Sequence, residues 1–150
     1  RKAITDAIND FERKMSYPFV PGVENYIKSL KSNGIKTAVV TSSNLLKMEN
    51  VYRCHPGFRE MFDIILTSED FSESKPSPYC YLKAMRLFGA GPEDCVVFED
   101  SLAGLQSARA SGAFVTALTT TNPEEVVRNY ADLVIRDFND SGIGANGLPH

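Results

Sequence analysis

Residues 95–118 of this chain are CVVFEDSLAGLQSARASGAFVTAL. The apolar runs at 95–98 and 113–118 enclose a stretch of helical periodicity at 101–110, and Gly112 follows that stretch as a helix-terminating residue. Continuously apolar strands are typical of a parallel sheet that is covered on both faces. This stretch therefore predicts a β-α-β unit with polar residues at the end of its first strand.

The same alternation continues over most of the chain. Further β-rich runs lie at 36–41, 63–67 and 133–135, and helical patterns that end near Gly, Asn or Pro separate them. Strands that alternate with helices imply right-handed crossovers and a three-layer α/β architecture, in which helices cover both faces of a parallel sheet. The length of 150 residues favours one such domain.

The composition excludes several classes of protein. With 43% apolar and 23% charged residues, the chain has enough apolar material for a buried core. A net charge of −3 argues against a general nucleic-acid binder, and no apolar run approaches the ~18 residues of a membrane span. The cysteines are predicted to be buried thiols in a reducing cytosol: Cys54, Cys80 and Cys95. We expect a cytoplasmic protein whose partners are neither nucleic acid nor membrane, and whose oligomeric state stays open.

Candidate functional residues follow the predicted strands, because ligands bind beyond the carboxyl ends of the strands in an open parallel sheet. Thr41 ends the strand at 36–41, and Ser42, Ser43 and Asn44 come next. Hydroxyls and backbone amides at a helix start suit an anion, and the alternative is that Ser43 only caps the helix. Lys75, in the loop after 63–67, offers a positive charge, and the alternative is a solvated lysine.

Glu99 and Asp100 follow the strand at 95–98. Two adjacent carboxylates beside an apolar strand are costly unless a positive charge neutralises them. Mg²⁺ typically takes one or two carboxylates together with water and substrate phosphate, and the alternative is that Asp100 only caps a helix. Taken together, the hydroxyl, the lysine and the acidic pair predict a phosphoryl site with Mg²⁺ beside it, where catalysis is mostly positioning and electrostatics.

These stretches resemble motifs of the haloacid dehalogenase superfamily, and within it the β-phosphoglucomutase-like phosphatases. KTAVVTSSN resembles the second motif, SKPSPYCYLKA the third and VVFEDSLAGLQSARASGA the fourth, where Gly104 and Gly112 also match. The resemblance covers roughly residues 17–137. It implies a Rossmann-like core and a Mg²⁺-dependent phosphatase for a small phosphorylated metabolite, with a sugar phosphate as the expected substrate.

The resemblance also implies a role for each candidate residue. The Thr41 hydroxyl and the Ser42 amide would hold the transferring phosphoryl group, with Ser43 and Asn44 beside them. Lys75 would balance the charge between nucleophile and phosphate. The metal ligands would be Asp100 and, directly or through water, Glu99.

The first motif of the family, an apolar strand that ends in Asp-x-Asp, has no match before Thr41. Residues 133–140 (LVIRDFND) resemble it weakly, and we interpret them as a final edge strand. Helical periodicity over 3–15 and the lack of a starting Met indicate the end of a helical cap. The predicted domains are the end of the cap at 1–16, the α/β core at 17–138 and a flexible tail at 139–150.

This division predicts an incomplete sheet. In the family, the strand of the first motif lies mid-sheet, between the strands that end at Thr41 and Glu99. Without it, we expect a gap at the centre of the sheet or direct pairing of residues 38–40 with 96–98, because unpaired central edges are unfavourable. The nucleophile and the acid/base would lie outside this chain, and the 150 residues alone are expected to be inactive.

Three functions remain open. The leading one is a phosphatase in which water hydrolyses an aspartyl phosphate. The second is a phosphosugar mutase, but the mutases of this group resemble one another in a Ser-Lys-Asn run, and residues 43–45 are Ser-Asn-Leu, which favours hydrolysis. The third, from another class, is a non-catalytic phosphate-binding or interaction module.

Overall fold

The computed structural model describes the backbone of residues 2–5 and the full residues 22–140. Six strands form one parallel sheet in the order β3-β2-β1-β4-β5-β6. The strands are β1 (Lys2–Thr5), β2 (Lys36–Val40), β3 (Ile64–Leu66), β4 (Cys95–Glu99), β5 (Phe114–Leu118) and β6 (Leu133–Ile135). The helices are α1 (Val23–Ser32), α2 (Leu45–Cys54), α3 (Tyr79–Phe88), α4 (Leu102–Ser111) and α5 (Glu124–Val127). The three-layer α/β prediction is confirmed.

The centre of the sheet is filled, contrary to the prediction. β1 pairs with β2 on one side, where Ile4 lies opposite Ala38, and with β4 on the other, where Ile4 lies opposite Val97. The expected gap and the expected direct pairing of β2 with β4 are therefore both wrong. The physical reason is that β1 satisfies the backbone hydrogen-bonding groups of two neighbours at once, whereas a gap leaves both rows unpaired.

The helix predicted over residues 3–15 is wrong for residues 3–5, which are strand. The rest of that prediction lies outside the described residues. The cap at 1–16 thus loses Lys2–Thr5 to the sheet, and otherwise the division into domains stays a prediction. The error arose because two adjacent apolar residues, Ala3 and Ile4, fit a helical stripe and a short buried strand equally well.

Helices cover both faces of the sheet, and the side chains of β2 and β4 alternate between them. Val39 and Phe98 belong to the cluster packed under α1 and α2, which is built mainly from Tyr26, Ile27, Leu30, Met48 and Val51. Val40 and Val97 belong to the opposite cluster, under α3 and α4. This alternation is what continuous apolar strands predict, since successive side chains point to opposite faces. The same alternation places Glu99, the residue after Phe98, on the face of the sheet that α3 and α4 cover.

Local signals end most helices where the sequence predicts. The Asn44 side chain caps α2 by accepting a hydrogen bond from the Lys47 amide (2.9 Å), and Ser101 caps α4 by accepting one from the Gly104 amide (3.1 Å). α4 ends at Gly112, which has a φ of 87° that L-residues rarely adopt. The chain therefore leaves the ends of β2 and β4 through capped turns of defined geometry.

Two smaller predictions have mixed outcomes. Cys80 and Cys95 are buried as expected, but Cys54 is exposed at the end of α2. β6 is the edge strand that residues 133–140 were predicted to form, and Asp137 and Asp140 after it accept hydrogen bonds from nearby backbone amides. In the described part of the chain, no helix has the length and apolar character needed to cross a membrane.

Candidate active site

The carboxylate of Glu99 is the centre of a buried network at the carboxyl end of β4. Glu99 is fully buried, and its Oε2 accepts hydrogen bonds from the Lys75 ammonium (3.0 Å) and the Tyr81 hydroxyl (2.6 Å). Its Oε1 accepts from the backbone amides of Asp100 (3.0 Å) and Ser101 (3.1 Å), and from the Ser101 hydroxyl (3.2 Å). Five donors saturate the lone pairs of one carboxylate.

Alternation along β4 explains where this side chain points. Cys95 and Val97 face the layer of α3 and α4, so Glu99, two residues further on, faces the same layer. α4 makes room for it at Gly104, where an added Cβ would overlap the Glu99 carboxyl group. The direction of Glu99 is thus set by the strand, and the space for it by one glycine.

Lys75 comes from the loop between β3 and α3 and reaches the sheet across that layer. Only 5% of its side chain is exposed, and its Nζ lies 3.0 Å from Glu99 Oε2, 3.5 Å from the Val40 carbonyl oxygen and 5.2 Å from the centre of the Tyr81 ring. The structure therefore rules out the alternative of a solvated lysine. Its ammonium lies beside the carbonyl oxygen of Val40, which directly precedes Thr41.

The charge of Lys75 also explains the protonation state of Glu99. Burial alone raises the pKa of the Glu99 carboxyl. The positive charge of Lys75 and the hydrogen bonds from Tyr81, Lys75 and the Ser101 amide outweigh burial, so the pKa lies below its ordinary value. Glu99 is therefore a carboxylate at neutral pH.

Thr41 is buried at the end of β2, and its amide continues the ladder to β3 by donating to the Leu66 carbonyl (3.0 Å). Its Oγ1 accepts a hydrogen bond from the Ser43 amide (3.1 Å), which folds the chain sharply back at exposed Ser42. The Ser43 carbonyl accepts from the Ser68 amide (2.8 Å), so the loops after β2 and β3 are joined.

The first turn of α2 differs from the sequence prediction. Asn44, not Ser43, is the capping residue, and the Leu45 amide donates to both carboxylate oxygens of Glu69 (3.1 and 3.2 Å). The amides of Ser43, Leu45 and Lys47 at this helix start are therefore bound to acceptors of the protein itself. Burial raises the pKa of the Glu69 carboxyl, but hydrogen bonds from the backbone and from Thr67 and Ser68 leave it lowered.

Asp100 lies beside Glu99 but turns away from it, into the loop after β5. It is 1% exposed, and its Oδ2 accepts hydrogen bonds from the hydroxyls of Thr121 (2.6 Å) and Thr120 (3.3 Å). The Asn122 side chain donates to the Asp100 carbonyl oxygen (3.2 Å). Sequence reasoning missed all three partners, because nothing local in the run of Thr120, Thr121 and Asn122 indicates what it faces.

The donor chemistry around Asp100 fits Mg²⁺, which prefers carboxylate and other hard oxygen ligands and completes its shell with water and substrate phosphate. Within residues 22–140 no cluster of three or more His, Cys, Asp or Glu side chains could hold a metal, so the described chain offers a partial ligand set. The two carboxylates predicted as ligands are not directed to one point, because Glu99 is saturated by protein donors. Metal binding at either residue stays a prediction.

The structure thus brings most of the predicted residues to one end of the sheet. Lys75 and Glu99 are in direct contact, Asp100 follows Glu99, and Thr41 follows the Val40 carbonyl that Lys75 contacts. Tyr81, which donates to Glu99 Oε2, is the residue of this network that the sequence analysis missed. The signal available for it was the spacing from Lys75, which places both near the start of one helix.

Known proteins are similar to this chain in sequence. A family model described as haloacid dehalogenase-like hydrolase matches residues 2–112. Protein CbbY of Cereibacter sphaeroides is 40% identical over 133 residues, which cover 85% of this chain and 56% of that protein. The bifunctional riboflavin kinase/FMN phosphatase of Arabidopsis thaliana is 32% identical over 130 residues, which cover 87% of this chain and 34% of that protein.

A solved structure agrees with the fold. The crystal structure of CbbY from Rhodobacter sphaeroides in complex with xylulose-(1,5)bisphosphate superimposes with a TM-score of 0.77 and 31% sequence identity, covering 93% of this chain and 64% of that chain. The chain spans about a third to about half of the length of the two curated relatives. The matches, the parallel sheet and the Lys75–Glu99 pair at its carboxyl edge lead to one conclusion: the chain belongs to the haloacid dehalogenase-like hydrolase family.

Proposed function

We propose that this site binds the phosphoryl group of a small phosphorylated metabolite, with Mg²⁺ beside it, and that the protein hydrolyses that phosphomonoester. The observation that carries the proposal is the buried Lys75–Glu99 pair beside Thr41 and Asp100. An ammonium that is fixed near the end of two parallel strands offers a positive charge at the point where an open parallel sheet binds ligands. A phosphoryl group, with its charge spread over several oxygens, is the anion such a site favours.

Each residue has a distinct task in this proposal. Lys75 would hold phosphoryl oxygens by charge, while Thr41 and the Ser42 amide would orient them by hydrogen bonds. Asp100 would be the direct ligand of Mg²⁺, with Glu99 committed to Lys75. The bound ion would supply neutralisation of the charge that develops on the phosphoryl oxygens.

We propose that the nucleophile is an aspartate outside residues 22–140. Its carboxylate would attack phosphorus and release the alcohol of the metabolite. Water would then hydrolyse the aspartyl phosphate, giving inorganic phosphate and the free carboxylate. The residues described here would hold the phosphoryl group through both steps.

A sugar phosphate is the proposed substrate class. CbbY from Rhodobacter sphaeroides, 31% identical to this chain, has been crystallised with xylulose-(1,5)bisphosphate, and the Arabidopsis relative is a bifunctional riboflavin kinase/FMN phosphatase. Both names belong to those proteins, and for this chain they support a phosphorylated metabolite of similar size. We further propose a cytoplasmic location, since composition favours it.

Hydrolysis is favoured over the mutase reaction by the start of α2. Residues 43–45 lack the lysine of the mutase run, and the Leu45 amide is bound to the Glu69 carboxylate. A fixed negative charge at this place opposes a second phosphoryl group, whereas a mutase must hold one there.

Phosphate binding by the 150-residue chain tests the proposal without requiring turnover. Titration of inorganic phosphate in the presence of MgCl₂, followed by calorimetry and ³¹P NMR, is expected to show binding that weakens when Mg²⁺ is removed. Lys75→Met and Asp100→Asn are expected to abolish it. Lys83→Met is the matched control, because Lys83 donates to the Asp70 carbonyl oxygen and lies outside the network.

Turnover of p-nitrophenyl phosphate by the longest available form of the protein separates the enzyme from a non-catalytic module. An enzyme is expected to release p-nitrophenol in the presence of Mg²⁺ and to lose that activity with Asp100→Asn. Phosphate binding without turnover in every form would support the module. Absence of phosphate binding by the wild-type chain would contradict both.

A further inference from the structure

The hydroxyl of Tyr81 is a polar group that α3 directs into the network. Tyr81 has no exposed surface, and its buried neighbours on the inner side of α3 are Cys80, Ala84 and Met85. A phenylalanine would fill the same apolar position. The hydroxyl instead donates to Glu99 Oε2 at 2.6 Å, the distance of a strong hydrogen bond to a charged acceptor.

Tyr81 contacts both members of the ion pair. Its hydroxyl shares Glu99 Oε2 with the Lys75 ammonium, and the ammonium also lies over its ring, 5.2 Å from the centre. A cation at this distance from an aromatic face is attracted to it. Tyr81 is therefore placed to restrain the carboxylate and the ammonium together.

The other restraints on Glu99 act on its second oxygen. Oε1 is held by the turn between β4 and α4, through the amides of Asp100 and Ser101. These bonds restrain the carboxyl group at one oxygen, while Oε2, the acceptor of Lys75, accepts from Lys75 and Tyr81. Tyr81 supplies the restraint on Oε2 that does not depend on the lysine.

We propose that Tyr81 is a positioning residue, whose hydroxyl fixes Glu99 Oε2 so that the Lys75 ammonium stays beside the Val40 carbonyl, next to Thr41. The inference rests on the proposed function, in which Lys75 holds phosphoryl oxygens. When the ammonium shares its charge with a bound phosphoryl group, Glu99 keeps a donor from Tyr81 and does not rotate. Tyr81 thus acts through Glu99 and Lys75 and does not itself touch the substrate.

The test compares Tyr81→Phe with Tyr79→Phe, the same chemical change on the same helix outside the network. We expect Tyr81→Phe to weaken the binding of inorganic phosphate about three- to tenfold at fixed Mg²⁺, the net effect of one typical intramolecular hydrogen bond. Tyr79→Phe is expected to change it less than about twofold. Affinity for Mn²⁺ as a probe of the metal site, measured by EPR, is expected to stay unchanged in both variants, because Asp100 is held by other residues.

A double-mutant cycle separates positioning from packing. In the Glu99→Gln background, Tyr81→Phe is expected to have no further effect on phosphate affinity, since the charged acceptor is already lost. An equal loss in both backgrounds, or an equal loss of Mn²⁺ and phosphate affinity, would mean a general packing defect and would overturn the inference. If circular dichroism shows that Glu99→Gln does not fold, the Glu99→Asp background serves the same cycle, because the shorter side chain withdraws the carboxylate from the Tyr81 hydroxyl.

The remaining outcomes distinguish this inference from the function on which it rests. Phosphate binding that depends on Asp100 but responds to Tyr81→Phe no more than to Tyr79→Phe overturns the positioning role and leaves the proposed function standing. A wild-type chain that binds no phosphate overturns both.

Discussion

At the scale of single residues, the two adjacent carboxylates have separate environments. Glu99 faces the layer of α3 and α4 and binds Lys75, whereas Asp100 turns toward the hydroxyls of Thr120 and Thr121. The separation follows from strand geometry, because neighbouring side chains on β4 point to opposite faces until the chain turns. The two adjacent carboxylates therefore bind different groups, an ammonium at Glu99 and two hydroxyls at Asp100.

Gly104→Ala is expected to destabilise the protein, although alanine favours helices. A Cβ at this position overlaps the Glu99 carboxyl group, and overpacking of this kind costs about 1–3 kcal/mol. The measurement is the free energy of unfolding in urea. Ala103→Gly, at an exposed neighbouring position of α4, gives the helix-propensity effect alone, about 1 kcal/mol. Stabilisation by Gly104→Ala would mean that Glu99 points elsewhere in solution.

Acid is expected to destabilise the fold through Glu99. Its pKa in the folded protein lies below the ordinary value of 4.5, so the unfolded chain takes up the proton first. The stabilisation by the ionised carboxylate is present above that ordinary value and is lost as the pH falls through the lower folded pKa. Urea unfolding between about pH 7 and pH 3 is expected to show a steeper loss for the wild type than for Glu99→Gln. Parallel curves would contradict the ion pair.

At the scale of elements, the start of α2 is capped by a residue of its own turn and by a residue of a distant loop. Polar residues before a helix predict either a cap or an anion site. At α2 the Asn44 side chain accepts from the Lys47 amide and the Glu69 carboxylate accepts from the Leu45 amide, as in a cap. Glu69 is contributed by the loop after β3, so the sequence around α2 contains no trace of it. The same loop carries Lys75 to the opposite layer.

Asn44→Ala is expected to cost about 1 kcal/mol of stability, because the Lys47 amide loses its side-chain acceptor. The measurement is the midpoint of chemical unfolding together with its slope. Asn50→Ala is the matched control: Asn50 lies later in α2, where its side chain accepts only an exposed hydrogen bond from Arg53, and a change below about 0.5 kcal/mol is expected. Equal effects at both positions would show that the cap contributes nothing specific.

At the scale of the whole molecule, β1 joins two halves of the sheet that are otherwise separate. β2 and β3 lie on one side of it and β4, β5 and β6 on the other. Among the described residues, β2 and β4 pair with Lys2–Thr5 and not with each other. The distance between the lysine loop and the acidic turn is therefore set by one intervening strand.

Ile4→Pro is expected to disrupt the sheet, because proline removes a backbone donor from a strand that is paired on both sides. A loss of about 3 kcal/mol or more is expected, measured by urea unfolding and by faster amide exchange in β2 and β4. Lys2→Pro is the control, since proline is tolerated at the first residue of a strand. Tolerance of proline at both positions would mean that Lys2–Thr5 does not occupy the centre of the sheet.

Much of this protein follows from its sequence alone. Apolar runs, helix caps and glycines determined the alternation of strands and helices, and the strand ends located Thr41, Lys75, Glu99 and Asp100 at one edge, because these signals act between residues that are close in the chain. The tertiary structure decided the place of β1, the saturation of Glu99 by Lys75 and Tyr81, and the contact of Asp100 with the loop after β5. These contacts join residues that are distant in the chain, and a periodic pattern carries no information about which distant group satisfies an unpaired backbone edge or a buried charge.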